Sequence, residues 1–372
     1  MDLIDHESMM KKIFNFKIFF ILILLISILI VVKIDILKIV HSSIYNKAQH
    51  LLPNELKHNI KNSNYFKFIF VKLMTITAKK KFSNRNILEI RNLILNDYIL
   101  DPEQITYFEK PELVESIKFN TYPDKNSKIM GVNFYKINNY SIIEYSKYHS
   151  NNKKKLLIYN QGHKGNPYNK DYFIEIKEHY KKKGFDVMSL SMSNLGYNEE
   201  PVSFPLIDLK KTRHEIYHKF YDEKYSNKKP LSLMLSGNYY LIKKILSDYA
   251  YEEIYMIGIS GGGWYSTFLP SIIPEIKTSY SFAGTIPRIL RLFENPGDFE
   301  ESKSRIFEKI DYWDLYLLST IDKFNKQNRK HFQVYNKKDD CCFYDPYASI
   351  MKEVSDNLGS PNFKVITLNI DS

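Results

Sequence analysis

Apolar residues change their spacing several times along the chain, and each change marks a different kind of element. From Ile13 to Val32 they run almost unbroken, and the part from Ile18 to Val32, IFFILILLISILIVV, carries no charge. Twenty residues at ~1.5 Å each cross a hydrocarbon core of about 30 Å, with Lys17 able to snorkel out of it. No small-residue cleavage pattern follows closely; Val40-His41-Ser42 is a poor and distant one. Residues 1–45 are therefore expected to hold an uncleaved membrane-spanning helix rather than a removed signal peptide. Lys11, Lys12 and Lys17 precede the span. Such a short basic tail usually stays cytoplasmic, which puts the large domain on the extracytoplasmic side.

Residues 46–114 read as a polar, basic N-terminal extension or stalk with helical stretches; Ile87, Ile90, Leu93 and Ile94 recur at helix spacing. Then ESIKFNTY, MGVNFYKI and YSIIEYSKY alternate as strands between turn residues, predicting an antiparallel start. After them the period switches back and forth. KKLLIYNQG is a buried strand, NKDYFIEIKEHYKKKG a helix stopping at Gly184, FDVMSLSMS a strand and YYLIKKILSDYA a helix. EEIYMIGIS is a strand followed at once by a short helix that Pro270 is expected to limit. IKTSYSFAG, KHFQVYN and NFKVITLNI are further strands, with PYASIMKEVSDNLG a helix between the last two. This alternation predicts an α/β domain over 115–372: a mostly parallel sheet with helices on both faces and a helical cap insertion near 287–318. There are no internal repeats.

Charge changes this picture little. Lys plus Arg exceed Asp plus Glu to give a net charge of +11, but the lysines are scattered or in short runs. No basic region, RNA-binding motif or zinc-finger spacing accompanies them, so no nucleic-acid partner is expected. Cys341 and Cys342 are adjacent and cannot tie distant segments together; they read as two small, partly buried apolar residues, with a vicinal disulfide as the alternative.

Four of the chain's 13 glycines fall within IYMIGISGGGWYS, around Ser260. A strand that turns sharply into a helix can present a serine at its tip if the residues two before and two after it are small. Gly258 and Gly262 hold those places, giving the G-x-S-x-G elbow in its strand–turn–helix context. The Gly261 N–H would stand at a helix N-terminus, where an oxyanion could form. On these residues, and on its order of elements, the segment 115–370 resembles the α/β-hydrolase superfamily. The likeness is closest to the esterase-like branch of acetyl xylan esterases and dienelactone hydrolases. That resemblance implies an acyl-enzyme on Ser260 and a small-molecule or glycan ester as substrate, with no cofactor. It makes His163, in NQGHKG, the second backbone donor of the oxyanion hole beside Gly261. The acid becomes Asp339, in KKDD, with Asp340 as the neighbouring alternative.

The resemblance also implies a general-base histidine after the last strand, whereas the sequence ends in NIDS and its last histidine is His331. The base is thus absent from this sequence. The expectation is that it lies beyond Ser372, an inactive binding relative being the alternative. His163 is expected to act only through its backbone. A reading from another class rests on His214-Glu215-Ile216-Tyr217-His218, whose H-E-x-x-H spacing suits a membrane-tethered zinc metallopeptidase. Its flanks are highly charged, and Tyr221 and Lys224 stand where the longer motif needs glycine and a third histidine. Asp298, Glu300 and Glu301 in the insertion read as a solvated turn, and the apolar positions of that insertion as helix packing or an acyl site. Oligomeric state cannot be read from the sequence.

Overall fold

The computed structural model describes residues 64–83, 86–99, 112–119, 130–138, 141–148, 154–163, 171–192, 230–293 and 304–371. The apolar run 13–32, the His214–His218 motif and the acids 298–301 lie outside the described residues. Among the described residues no helix is long and apolar enough to cross a membrane.

Nine strands form one sheet: β1 (Glu112–Phe119), β2 (Met130–Asn138), β3 (Ser141–Tyr148), β4 (Lys155–Asn160), β5 (Phe185–Leu190), β6 (Glu253–Ile259), β7 (Thr278–Phe282), β8 (Lys330–Asn336) and β9 (Phe363–Leu368). Their spatial order is β1-β2-β3-β5-β4-β6-β7-β8-β9. The first three run antiparallel, β3 meets β5 antiparallel, and every pair from β5 to β9 is parallel. The antiparallel start and parallel remainder follow the alternation in the sequence.

Among the described residues seven α-helices accompany the sheet: α1 (Asn64–Phe82), α2 (Ile87–Ile94), α3 (Asp171–Lys182), α4 (Pro230–Asp248), α5 (Gly261–Ile272), α6 (Tyr312–Leu318) and α7 (Tyr347–Leu358). The central strands are apolar throughout because both their faces are covered. On β4, Leu156 and Ile158 join the larger core with α1, α2, α4, α5, α6 and α7, while Leu157 and Tyr159 face the other way, toward α3. There Phe173 of α3 meets the Tyr159 ring at 4.7 Å between centroids. Toward β7 and β8 this second face becomes half-exposed, and Tyr280 stacks on Phe332.

Three expectations change. The segment 46–114 does not stand off as a stalk over its described residues: Phe70, Val71, Met74, Ala78, Ile87 and Ile94 are buried in the main core, and α1 lies against α7 and α6. The helix spacing was right, but the buried stripe serves the domain itself. The cap expected near 287–318 is, where described, also core; Ile306, Phe307, Ile310 and all of α6 are buried. Finally, α5 does not stop at Pro270 but runs on to Ile272.

Two buried arginines hold the end that α5 then reaches. A helix C-terminus leaves carbonyls without intrahelical donors. Arg329 donates to Pro270 O (2.7 Å), Ile273 O (3.2 Å) and Ile276 O (2.6 Å), and Arg91 of α2 donates to Ser271 O (2.9 Å). Both guanidiniums also share Leu318 O, at the last residue of α6, and Ile321 O just beyond it. They therefore complete the ends of α5 and α6 together, where the helix dipoles favour positive charge. Burial lowers Arg329 to about 9 and Arg91 to about 10, so both stay charged at neutral pH. Arg329→Met should cost about 3–5 kcal/mol, since it orphans these carbonyls in the core. Chemical denaturation measures this, and Arg329→Lys should recover little, because one ammonium cannot span the same set of acceptors.

The start of α6 is a reciprocal cap. Asp311 Oδ1 accepts from the N–H of Trp313 (2.7 Å) and Asp314 (3.2 Å), and Asp314 Oδ2 accepts from the Asp311 N–H (2.9 Å). Lys81, at the end of α1, donates to the same Asp314 Oδ2 at 2.7 Å and so ties the N-terminal helix to the domain. Desolvation, then the Asp314 charge, push Asp311 up to about 7. The folded state thus holds this proton more tightly than the unfolded chain. Its contribution is full below about pH 4 and is lost as pH rises through about 7. Asp311→Asn keeps the cap acceptor but cannot titrate. The fall in denaturant midpoint between pH 5 and 7.5 should therefore be smaller in D311N than in the wild type.

Candidate active site

Between β6 and α5 the chain reverses direction within a single residue. Ser260 has φ 55° and ψ −125°, in the left-handed half of backbone space that a serine enters only under constraint. It is held there from both sides. Its N–H donates to Phe282 O of β7 (2.9 Å), and its carbonyl accepts from Trp264 N in the first turn of α5 (3.0 Å). The side chain is exposed, whereas Gly261 to Ile272 behind it are all buried.

The flanking glycines are fixed by space. A side chain begun at Gly258 would collide with the carbonyl of Gly262, and one begun at Gly262 with the carbonyl of Asn160 at the end of β4. Both contacts are with backbone, which cannot swing away. Asn160 Nδ2 and Ser266 Oγ, 3.2 Å apart, bind the β4 end to α5 beneath this point. The elbow thus requires small residues where the sequence has them.

Two further loops reach the elbow. After β4, Gln161 N donates to Leu190 O of β5 (2.9 Å), which holds Gly162 over the turn. A side chain begun at Gly162 would lie 2.6 Å from Ile259 O and 3.0 Å from Ser260 Cβ. The next residue, His163, lays its ring on Gly261: a methyl there would sit 2.5 Å from Cε1 and 2.8 Å from Nδ1. Met192, after β5, brings its Sδ against the same Cα. Neither the His163 ring nor Met192 was placed at the elbow from the sequence. The one signal available was position, since both fall two or three residues past a strand whose C-terminal end borders the turn. Strand order explains the convergence. From β4 the chain moves outward to β5 and returns to β6 on the other side of β4, so the C-terminal ends of β4 and β6 flank a topological switch point, where open α/β sheets bind ligands.

Asp339 lies past β8, two strands over from β6, or ~10 Å at ordinary strand spacing. Its N–H donates to Asn336 O (3.1 Å), and its Oδ1 accepts from the N–H of Cys341 (2.8 Å) and Cys342 (3.3 Å), closing a turn around the carboxylate. Asp340 is exposed beside it, and the two cysteine sulfurs that follow are joined to each other.

Three histidines fall among the described residues, and two of them stand at the far edge of the sheet. His331 pairs in register with Ser279, which pairs with Met256, four residues or ~13 Å before Ser260. It is fully buried. Its Nε2 faces the Gln333 amide N–H₂ (2.8 Å) and so accepts, leaving Nδ1–H to donate to Ser279 Oγ (2.7 Å). Burial, then the Arg329 charge, lower it to about 3, so it stays neutral. His179 sits near the C-terminal end of α3, which leads into the N-terminal end of β5. Only His163, of the three, touches the elbow. Among the described residues no group of His, Cys, Asp or Glu could hold a metal ion.

No family model matches the sequence, and no curated protein is similar to it. Several solved structures resemble it in part. Acetyl xylan esterase 1 from Thermoanaerobacterium sp. JW/SL YS485 is 13% identical over 77% of this chain and 88% of its own, with a TM-score of 0.48. Methylesterase BT1017 is 11% identical over 88% and 64%, at 0.48. A putative dienelactone hydrolase from Klebsiella pneumoniae is 10% identical over 68% and 85%, at 0.38. The strand order and the strained serine turn are those of an α/β-hydrolase fold.

Gly258→Ala or Gly262→Ala should cost about 1–3 kcal/mol by overpacking backbone against backbone. Each should also lower reactivity at Ser260 more than stability alone accounts for, as read by denaturation midpoints beside active-site labelling at a temperature where the variant stays folded.

Proposed function

We propose that this chain is a serine hydrolase of carboxylic esters, acting through an acyl-enzyme on Ser260. One observation carries the reading: an exposed serine in a left-handed turn, at the C-terminal edge of a parallel sheet, with a helix starting at the next residue. A backbone strained in this way persists only where its surroundings enforce it, and such positions cluster at functional sites.

The chemistry follows from the geometry. A carbonyl carbon placed at Ser260 Oγ would direct its oxygen toward the Gly261 N–H, one of the first-turn donors of α5 that no intrahelical carbonyl can satisfy. The His163 N–H, at the second residue after Gln161 in the loop laid over the turn, is the companion donor. Together they would stabilise the tetrahedral oxyanion, a role worth about 2.7–4 kcal/mol per donor where one has been removed. Asp339 takes the acid's place on the β8 side. No cofactor enters this scheme. The esterase names among the solved structures fit a small-molecule or glycan ester as substrate. The apolar run 13–32 would tether the domain to a membrane, with the site on the extracytoplasmic side.

A fluorophosphonate probe tests the assignment. The wild type should be labelled and should hydrolyse p-nitrophenyl acetate. Ser260→Ala should lose the label and at least ~10³-fold in kcat, within the range seen when such a nucleophile is removed. A wild type that resists the probe while remaining folded would contradict the proposal.

A further inference from the structure

A serine hydroxyl attacks an ester only if some group takes its proton as the bond forms. We infer that this group is the imidazole of His163, laid across the Ser260–Gly261 turn; the inference rests on the esterase reading above. The sequence suggested that this residue contributes its N–H alone. The structure adds the ring, with Cε1 and Nδ1 against the Cα of Gly261, the residue bonded to the serine. Gly261 also has no side chain that could keep the ring away. Gly162 leaves the loop close enough that its own Cα approaches Ser260 Cβ. His163 is partly exposed.

Among the described residues, the other side chains that could accept the proton do not offer an equivalent. Met192 Sδ, which packs on the same Cα, is at most a weak acceptor. His331 is neutral, buried and fully hydrogen-bonded at the opposite edge of the sheet. Asp339 lies on the β8 side of Ser260, whereas His163 lies on the β4 side. The two approach the serine from opposite directions.

The reaction balances as follows. Ser260 Oγ bonds to the carbonyl carbon, the carbonyl π pair moves onto oxygen, and the Oγ proton passes to His163. The oxyanion collapses, the bond to the alcohol oxygen breaks, and the imidazolium returns the proton to that alkoxide. Water then attacks the acyl-enzyme, giving one proton to His163, and the Ser260 oxygen leaves with it. The products are the acid and the alcohol.

The test uses His163→Gln and His163→Ala in the full chain, with His179→Ala as a surface control and denaturation curves for each. The expected result is a loss in kcat of ~10²–10⁴-fold, the usual contribution of a positioned acid–base group. KM should change little, and the acid limb of the wild-type pH–rate profile should disappear. Added imidazole should restore part of the His163→Ala rate, a result that a purely structural role does not give. Three outcomes overturn the assignment. Both variants could stay within about threefold of wild type. His163→Ala could be faster, which would make the ring a plug in the oxyanion site. Asp339→Asn could cost more than either variant, placing the base beside that carboxylate instead. A labelled wild type with any of these leaves the esterase reading standing, whereas an unlabelled one removes both.

Discussion

The carbonyl of Asn160 rests on the Cα of Gly262, and the carbonyl of Gly262 rests on Gly258. These backbone contacts, with no side chain between them, are the constraint from which the rest of the site follows. They bring β4, β6 and the start of α5 closer than any residue with a Cβ permits. The chain must then turn in one step at Ser260, in a conformation that an unconstrained serine avoids. The strain is sustained from both flanks by hydrogen bonds to β7 and to α5. Because α5 begins at the next residue, its first-turn N–H groups, which no intrahelical carbonyl can satisfy, stand close to the serine.

A helix pressed this tightly at its N-terminus must be held equally well at its other end. Arg329 and Arg91 do that with nine guanidinium–carbonyl hydrogen bonds, two of whose acceptors, Leu318 O and Ile321 O, are shared. Neither arginine has a buried carboxylate as its direct partner; the charge is met by helix-end carbonyls, with Asp322 and Glu275 contributing at longer range. This arrangement also accounts for the N-terminal helices. Arg91 comes from α2 and Lys81 from α1, so the segment preceding the sheet supplies two of the cations that fix α5 and α6. Removing α1 and α2 would expose apolar core and unpair these helix ends at once.

Much of this was legible in the sequence wherever local pattern and tertiary role agree. The buried strands read as apolar runs because both faces are covered, and G-x-S-x-G specifies a turn that few other structures need. The reading went wrong where a residue's role depends on distant partners. Pro270 removes an N–H and argues for a helix end, yet α5 runs two residues further, and Arg329, 59 residues later, donates to the Pro270 carbonyl at the end so reached. The helical stripe on 86–99 was visible, yet nothing in its spacing tells which surface buries it. The apolar residues of 304–318 pack inward, one of the two roles expected of them, but in the core of the domain rather than in a separate cap.

The hardest residue to read was His163, because its motif speaks for its backbone and is silent on its ring. In a loop laid over an elbow, the N–H and the side chain of one residue leave the same Cα in different directions. One can point at an oxyanion while the other reaches across the turn. Which of them approaches the serine depends on the residue below, and Gly261 leaves that space open. The switch point therefore supplies more than a crevice. It sets the loop after β4 beside the turn after β6 with no intervening strand, so a residue three positions past β4 can touch the residue next to the serine. A base reaching the serine from β8 must instead pass β7, and it depends on a longer loop to do so.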